Sequence, residues 1–164
     1  MIKSKVKLPK NILSAAIALL TLIVGFFSGN YYNQQKQSQL LTSGTVTRII
    51  AADTLELNND QSVRLYAVSC QEKGEKFSDE IIEYLTQTAI NQKVTLEYQP
   101  NYETDKWGRT NAYVFINGQH LNLQLVSQGY CTVTIYSKRA KLIYQDELLN
   151  AQEQAKSENL GRWQ

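Results

Sequence analysis

The sequence is poor in the residues that most often carry metal or thiol chemistry: one histidine, two cysteines and one methionine in 164 residues. The sole histidine, His120, has no Cys or His partner at metal-ligand spacing. That argues against a zinc centre and leaves His120 as a surface or helix-start residue. Cys70 and Cys131 allow only one pairing, so they are either a single bridge or two independent buried thiols. No internal repeat is present. Acids are missing from residues 1–43, which hold five of the 17 basic residues. The rest therefore has 12 basic against 15 acidic residues, a net charge of −3. A domain of that sign is not a general nucleic-acid sponge, and any phosphate binding must come from a local cluster.

What is present at the start is lysine at positions 3, 5, 7 and 10, then an uncharged run from Ile12 to Ser28. A basic flank before an apolar run reads as a secretory signal or signal anchor. Cleavage sites want small residues at alternate positions, and Phe26 and Phe27 sit where these are needed. The reading is a retained transmembrane anchor over 1–29, with secretion after cleavage as the alternative. Four lysines before the run place the N-terminus inside and the rest on the extracytoplasmic side of the membrane. Residues 30–43 are polar and Gln-rich and read as a linker to a domain over 44–164. Both cysteines then face an oxidising location, where a disulfide is permissible.

Within 44–164 the strand signals are "GTVTRII" (44–50), "TLEL" (54–57), "SVRLYAV" (62–68), "KVTLEYQ" (93–99) and "NAYVFI" (111–116). The last is apolar on both faces, as a central strand is. Three helices interleave. Phe77, Ile81, Leu85 and Ala89 fall four apart; Leu121, Leu125 and Val126 mark a short helix ended by Gly129; Tyr144, Leu148, Ala151 and Ala155 mark a terminal one. Five strands with a helix between the third and fourth predict an α+β fold, a five-stranded OB-fold barrel with three helices behind the N-terminal segment.

Unusual polar residues gather at the strand ends. Asp53 lies in the link between the first two strands, Arg64 in the third, Glu72 just after it, and Arg109 at the mouth of the last. Each alone is a turn, loop or edge residue. Together they suggest phosphodiester chemistry. Two guanidiniums clamp a phosphate, one carboxylate holds a divalent cation, and another deprotonates water.

The pieces "GTVTRIIAADTLEL", "VRLYAVSCQEKGEKF", "TDKWGRTNAYVF", "LNLQLVSQGY" and "LLNAQEQAKSENLGRW" resemble the thermonuclease (staphylococcal-nuclease-like) family, in its order and over essentially the whole of 44–163. The resemblance implies an OB barrel and a calcium-dependent nuclease acting on DNA and RNA. It assigns Arg64 and Arg109 to the phosphate, Glu72 to the attacking water, and Asp53 with the Cys70 main-chain carbonyl to the metal. Lys106 and Trp107, in the same turn as Arg109, are read as substrate-binding. Cys131 begins a segment that in the resembled fold runs beside the end of the third strand, so Cys70 and Cys131 are expected to pair.

The chain also departs from that family. Ala51-Ala52-Asp53-Thr54 stands where the family shows Asp-Gly-Asp-Thr. Ser69-Cys70-Gln71-Glu72 stands where it shows an aspartate, a Thr, Ala or Cys, then Pro-Glu. Ser69 thus replaces a carboxylate ligand, which predicts weakly held Ca2+. The expected protein is a membrane-anchored, monomeric endonuclease or exonuclease. The competing readings are an inactive OB barrel that binds nucleic acid and a structural envelope module; a pure binder has no use for Glu72.

Overall fold

The computed structural model describes residues 10–38, 40–136 and 140–164. It separates into a unit ending at Leu40 and a second from Leu41 to Gln164. The first is one helix, α1, Lys10–Ser38. Its described apolar side chains are exposed, Leu22 and Phe26 at 71% each. Among the described residues no helix is long and apolar enough to cross a membrane. The expected span at 12–28 rests partly on Ile12, Leu13 and Ala16, whose side chains lie outside the described set, as do Lys3, Lys5 and Lys7 entirely. The helix also continues through 30–38, within the stretch read as a polar linker. Gln and Lys are good helix formers, so a polar run without apolar periodicity can still extend an existing helix.

The second unit is built on β1 (Ser43–Ala51), β2 (Thr54–Leu57), β3 (Ser62–Leu65), β4 (Val68–Cys70), β5 (Lys93–Glu97), β6 (Thr110–Ile116), β7 (Gln119–His120) and β8 (Cys131–Val133). Its helices are α2 (Ser78–Ala89), α3 (Leu121–Ser127) and α4 (Gln145–Ser157), with a 3₁₀ turn at Gly161–Trp163. The main sheet runs β3-β2-β1-β5-β6-β7, and β3 also pairs with β6, which closes β3, β2, β1, β5 and β6 into a five-stranded barrel. β1 serves two neighbours: its start pairs with β5 and its remainder with β2, with register shifts at Val46/Arg48 and Ile49/Ala51. Such bulges bend a strand and let a short sheet curl. The seam is parallel, with Arg64 opposite Asn111.

The apolar alternation read from the sequence fills this barrel. Val46, Leu55, Leu57, Val63, Leu65, Val94, Tyr113 and Val114 are fully buried, and β6 is covered on both faces. On α2, Ile81, Leu85 and Ala89 turn inward, while Phe77 stands before the first turn with φ of 71°. Gly129 is fixed by proximity as well as by a φ of +70°: a Cβ there would sit 2.1 Å from the Leu160 carbonyl oxygen.

The third predicted strand is two. Tyr66 still donates its N–H to Ala112 O (2.9 Å), but Ala67 adopts φ of 63° and the chain leaves the barrel. The buried Asn122 side chain holds this break, donating to Tyr66 O (2.9 Å) and accepting from Val114 N–H (3.0 Å). Beyond it, β4 pairs antiparallel with β8 in a separate two-stranded sheet. Cys70 and Cys131 are direct partners there, joined by a disulfide with Cα atoms 4.1 Å apart. His120 does stand at the start of α3, but not as a surface residue. Its ring packs with Phe115 (4.7 Å) and Tyr144 (4.6 Å), and burial pushes its pKa down to about 4.

Candidate active site

One cleft of about 930 Å³ opens at the barrel end where β1 turns into β2, β3 leads towards β4, and the 104–109 turn enters β6. Asp53, Arg64, Ser69, Cys70, Glu72, Lys106, Trp107 and Arg109 all line it. The sequence placed these residues on four separate segments; the parallel seam and the β1–β2 hairpin bring them to one surface.

Asp53 occupies the two-residue link of that hairpin, and its carbonyl accepts the Leu65 N–H at 2.8 Å. Its carboxylate is engaged at both oxygens: Oδ2 lies 2.9 Å from Arg64 Nη2, and Oδ1 accepts the Thr54 hydroxyl at 2.8 Å. Arg64 pairs across β2 with Thr54, which fixes where its side chain leaves the strand.

Arg109 is held by a residue to which the sequence reading gave no role. Asp105 Oδ2 takes the Arg109 Nε–H at 2.7 Å, and Oδ1 takes the main-chain N–H groups of Arg109 and Trp107 at 2.9 Å each. The turn is closed by Gly108 N–H to Asp105 O and Asp105 N–H to Arg109 O, with Gly108 at φ of +82°. Burial works against the Asp105 carboxylate. The hydrogen bonds from Arg109 and Trp107 outweigh it and hold its pKa below the ordinary value. The i, i+4 spacing of an Asp and an Arg around a glycine is shared by ordinary Asx turns, so the local pattern did not mark Asp105. Trp107 is 70% exposed at the rim, with the Lys106 ammonium 4.2 Å from its ring centre and the Arg109 guanidinium 5.2 Å away.

Glu72 is exposed on the loop between β4 and α2. Its N–H donates to Glu75 Oε2 at 2.8 Å, and among the described residues its carboxylate is bonded to neither arginine. It is therefore available to solvent in the cleft, where a base acting on water must be.

No group of three His, Cys, Asp or Glu residues that could hold a metal occurs among the described residues. The cleft does offer hard oxygen donors of the kind calcium takes: the Asp53 carboxylate, the Ser69 hydroxyl and the Cys70 main-chain carbonyl. Gln71 Oε1, a cleft residue's side-chain oxygen, is buried without a partner. This donor set fits calcium in kind. With one anion, itself shared with Arg64, it fits with low charge.

A family model described as staphylococcal nuclease homologue matches residues 47–164. A thermonuclease of Staphylococcus intermedius is 28% identical over 172 residues, covering 96% of this chain and 98% of that protein. An uncharacterised protein of Bacillus anthracis is 30% identical over 142 residues; the match takes in 80% of this chain and spans 65% of that protein's length. An endonuclease of Bacillus subtilis is 25% identical over 153 residues, 82% of this chain and 72% of its own.

Proposed function

This chain belongs to the staphylococcal nuclease family, and from that premise we propose that it is a nuclease hydrolysing phosphodiester bonds of DNA and RNA outside the cytoplasm. The observation that carries the reading is the meeting of Arg64, Glu72 and Arg109 at one cleft. Arg109 is oriented by Asp105 through Nε, and its two amino groups remain as further donors. Arg64 approaches from β3. A phosphate between them accepts hydrogen bonds from both guanidiniums, and these strengthen as charge builds on its oxygens in the transition state. Glu72 takes a proton from a water placed against the phosphorus. Trp107 offers a flat face for a base next to the cleaved bond.

Calcium, where bound, would be held by Asp53 with the Cys70 carbonyl and the Ser69 hydroxyl, and would supply charge stabilisation to the phosphate oxygens. Loss of the family's carboxylate at Ser69 supports weak binding, because calcium affinity follows the number of charged oxygens. A membrane location is supported by the uncharged run 12–28 behind four lysines, and by the exposed apolar side chains of α1. We place the domain on the outer side, as a monomer.

The test is hydrolysis of single- and double-stranded DNA and of RNA by residues 41–164, with calcium and with a chelator. Metal-dependent cleavage that disappears in Glu72→Gln is the expected result. Ser69 and the engagement of both Asp53 oxygens favour a second reading, a barrel that grips nucleic acid without cutting it. Binding without cleavage, unchanged in Ser69→Asp at millimolar calcium, would establish that reading instead.

A further inference from the structure

The loop that carries Glu72 is held to the barrel at very few points. Among the described residues, the hydrogen bonds of segment 71–77 are local, made within the loop or to the start of α2: Glu75 N–H to Glu72 O (3.0 Å), Glu72 N–H to Glu75 Oε2 (2.8 Å), Gly74 N–H to Ser78 Oγ (3.2 Å), Ser78 N–H to Glu75 O (3.1 Å) and Ile81 N–H to Phe77 O (3.0 Å). Gln71 adds no tether, since its buried Oε1 has no partner. Before the loop, β4 has three residue pairs with β8 and, among the described residues, no other strand beside it. The last of those pairs is Cys70–Cys131, two residues before Glu72. β8 in turn is fixed to α4, where Val133 N–H donates to Gln152 Oε1 (2.8 Å), while Thr134 N–H donates to Ala67 O (2.8 Å) at the barrel end of the β4–β8 pairing.

We propose that the Cys70–Cys131 disulfide is the positioning element for Glu72, so that hydrolysis depends on the oxidised state of the chain. The inference rests on the nuclease reading for its catalytic part and on geometry alone for its structural part. Strand pairs fray from their ends, and β4 ends at Cys70. With the bridge intact, the fray point is a covalent bond to a strand anchored on α4. With the bridge cut, Ser69 and Cys70 can part from Thr132 and Cys131, and Glu72 moves with them. The arginines are indifferent to this change, because they are carried on β3 and the 105–109 turn. Substrate binding through the arginines therefore persists while the base is lost; the Ser69 and Cys70 oxygens move with the loop, so calcium is kept in excess to hold its occupancy constant. The chemistry of the switch is ordinary: an added dithiol gives two electrons and two protons to the bridge, leaves two thiols, and itself closes to a cyclic disulfide.

The experiment compares the full chain, oxidised, with the same chain after dithiol reduction and with Cys70→Ser/Cys131→Ser, in excess calcium. Circular dichroism reports the fold, steady-state kinetics report kcat and KM separately, and amide exchange reports residues 71–77 against the barrel strands. The expected result is a fall in kcat of about ten- to a hundredfold, the scale of a misplaced catalytic group. KM should change less than about twofold, exchange should quicken in 71–77 and at the adjoining ends of β4 and β8 but not in the barrel strands, and reoxidation should restore kcat. In a Glu72→Gln background, reduction should cost nothing further. Unchanged kcat in the reduced, folded chain overturns the proposal. So does unfolding of the whole domain on reduction, because the bridge then serves the barrel and not the loop. If the oxidised chain hydrolyses nothing, the nuclease reading fails separately, and the exchange measurement still decides: equal protection of 71–77 in both redox states overturns the positioning.

Discussion

Replacing Asp105 is the sharpest test of how the phosphate clamp is built. Asp105→Asn keeps an oxygen for the main-chain N–H groups of Trp107 and Arg109 but removes the anion opposite Arg109 Nε. A charge-assisted hydrogen bond contributes about 1.5–3 kcal/mol when enclosed. The Arg109 side chain is 32% exposed and that of Asp105 12%, so solvent screening brings the expected loss to about 1 kcal/mol. Asp105→Ala also gives up both turn bonds, each about 0.5–1.5 kcal/mol, for a total of about 2–4 kcal/mol. In either variant Arg109 is free to swing, and kcat/KM should fall by about ten- to a hundredfold. The pH dependence separates this from general damage. The folded pKa of Asp105 lies below its ordinary 3.8, so its contribution is complete above that value and is lost as pH falls through the depressed one. Urea unfolding of the wild type and Asp105→Asn, measured from pH 6 down to about 2, should therefore show the difference between them shrinking below about pH 3.8. Wild-type kcat/KM in Asp105→Asn, or a stability difference that does not change with pH, would show that β6 alone orients Arg109.

Glu72→Gln should lower kcat at least a hundredfold with no change in unfolding midpoint, since the side chain is exposed. Ser69→Asp should tighten calcium binding measured by titration calorimetry and lower the calcium needed for half-maximal hydrolysis, because it returns an anionic oxygen; equal affinity would place the cation elsewhere. His120 is held neutral by burial, with a folded pKa of about 4 against an ordinary 6.5. The unfolded chain binds the proton first, so stability should fall as pH drops from 6.5 towards 4, and denaturant unfolding of His120→Phe should show a flatter profile over that range. Gly129→Ala should destabilise by several kcal/mol or fail to fold, given a Cβ 2.1 Å from Leu160 O and a left-handed φ; a thermal shift of under 2–4 °C, about 1 kcal/mol, would contradict the close approach.

Periodicity was enough to place the barrel strands and three of the helices, because alternation and 3.6-residue spacing are local properties of the chain. The resemblance named the cleft residues, and the structure gathers them. Three features were not readable from local pattern. The break in "SVRLYAV" depends on a left-handed Ala67 and on Asn122, 56 residues from the carbonyl it caps. β7 and β8 are two and three residues long, too short for any alternation to register. Asp105 drew no role from the sequence because its oxygens meet main-chain donors that no residue type reveals.

The parallel seam between β3 and β6 has a consequence for when the site exists. Val63 meets Thr110 only after α2 and β5 have been threaded between them. Pairings so distant along the chain form late, because loop closure must be compensated by contacts not yet made. Arg64 rides on one side of that seam and Arg109 enters the other. A nascent or partly folded chain can therefore hold one arginine or the other, but not both at a single phosphate. On the proposed mechanism, hydrolytic competence is then tied to barrel closure, and a chain still being made carries both arginines without the cleft that brings them together.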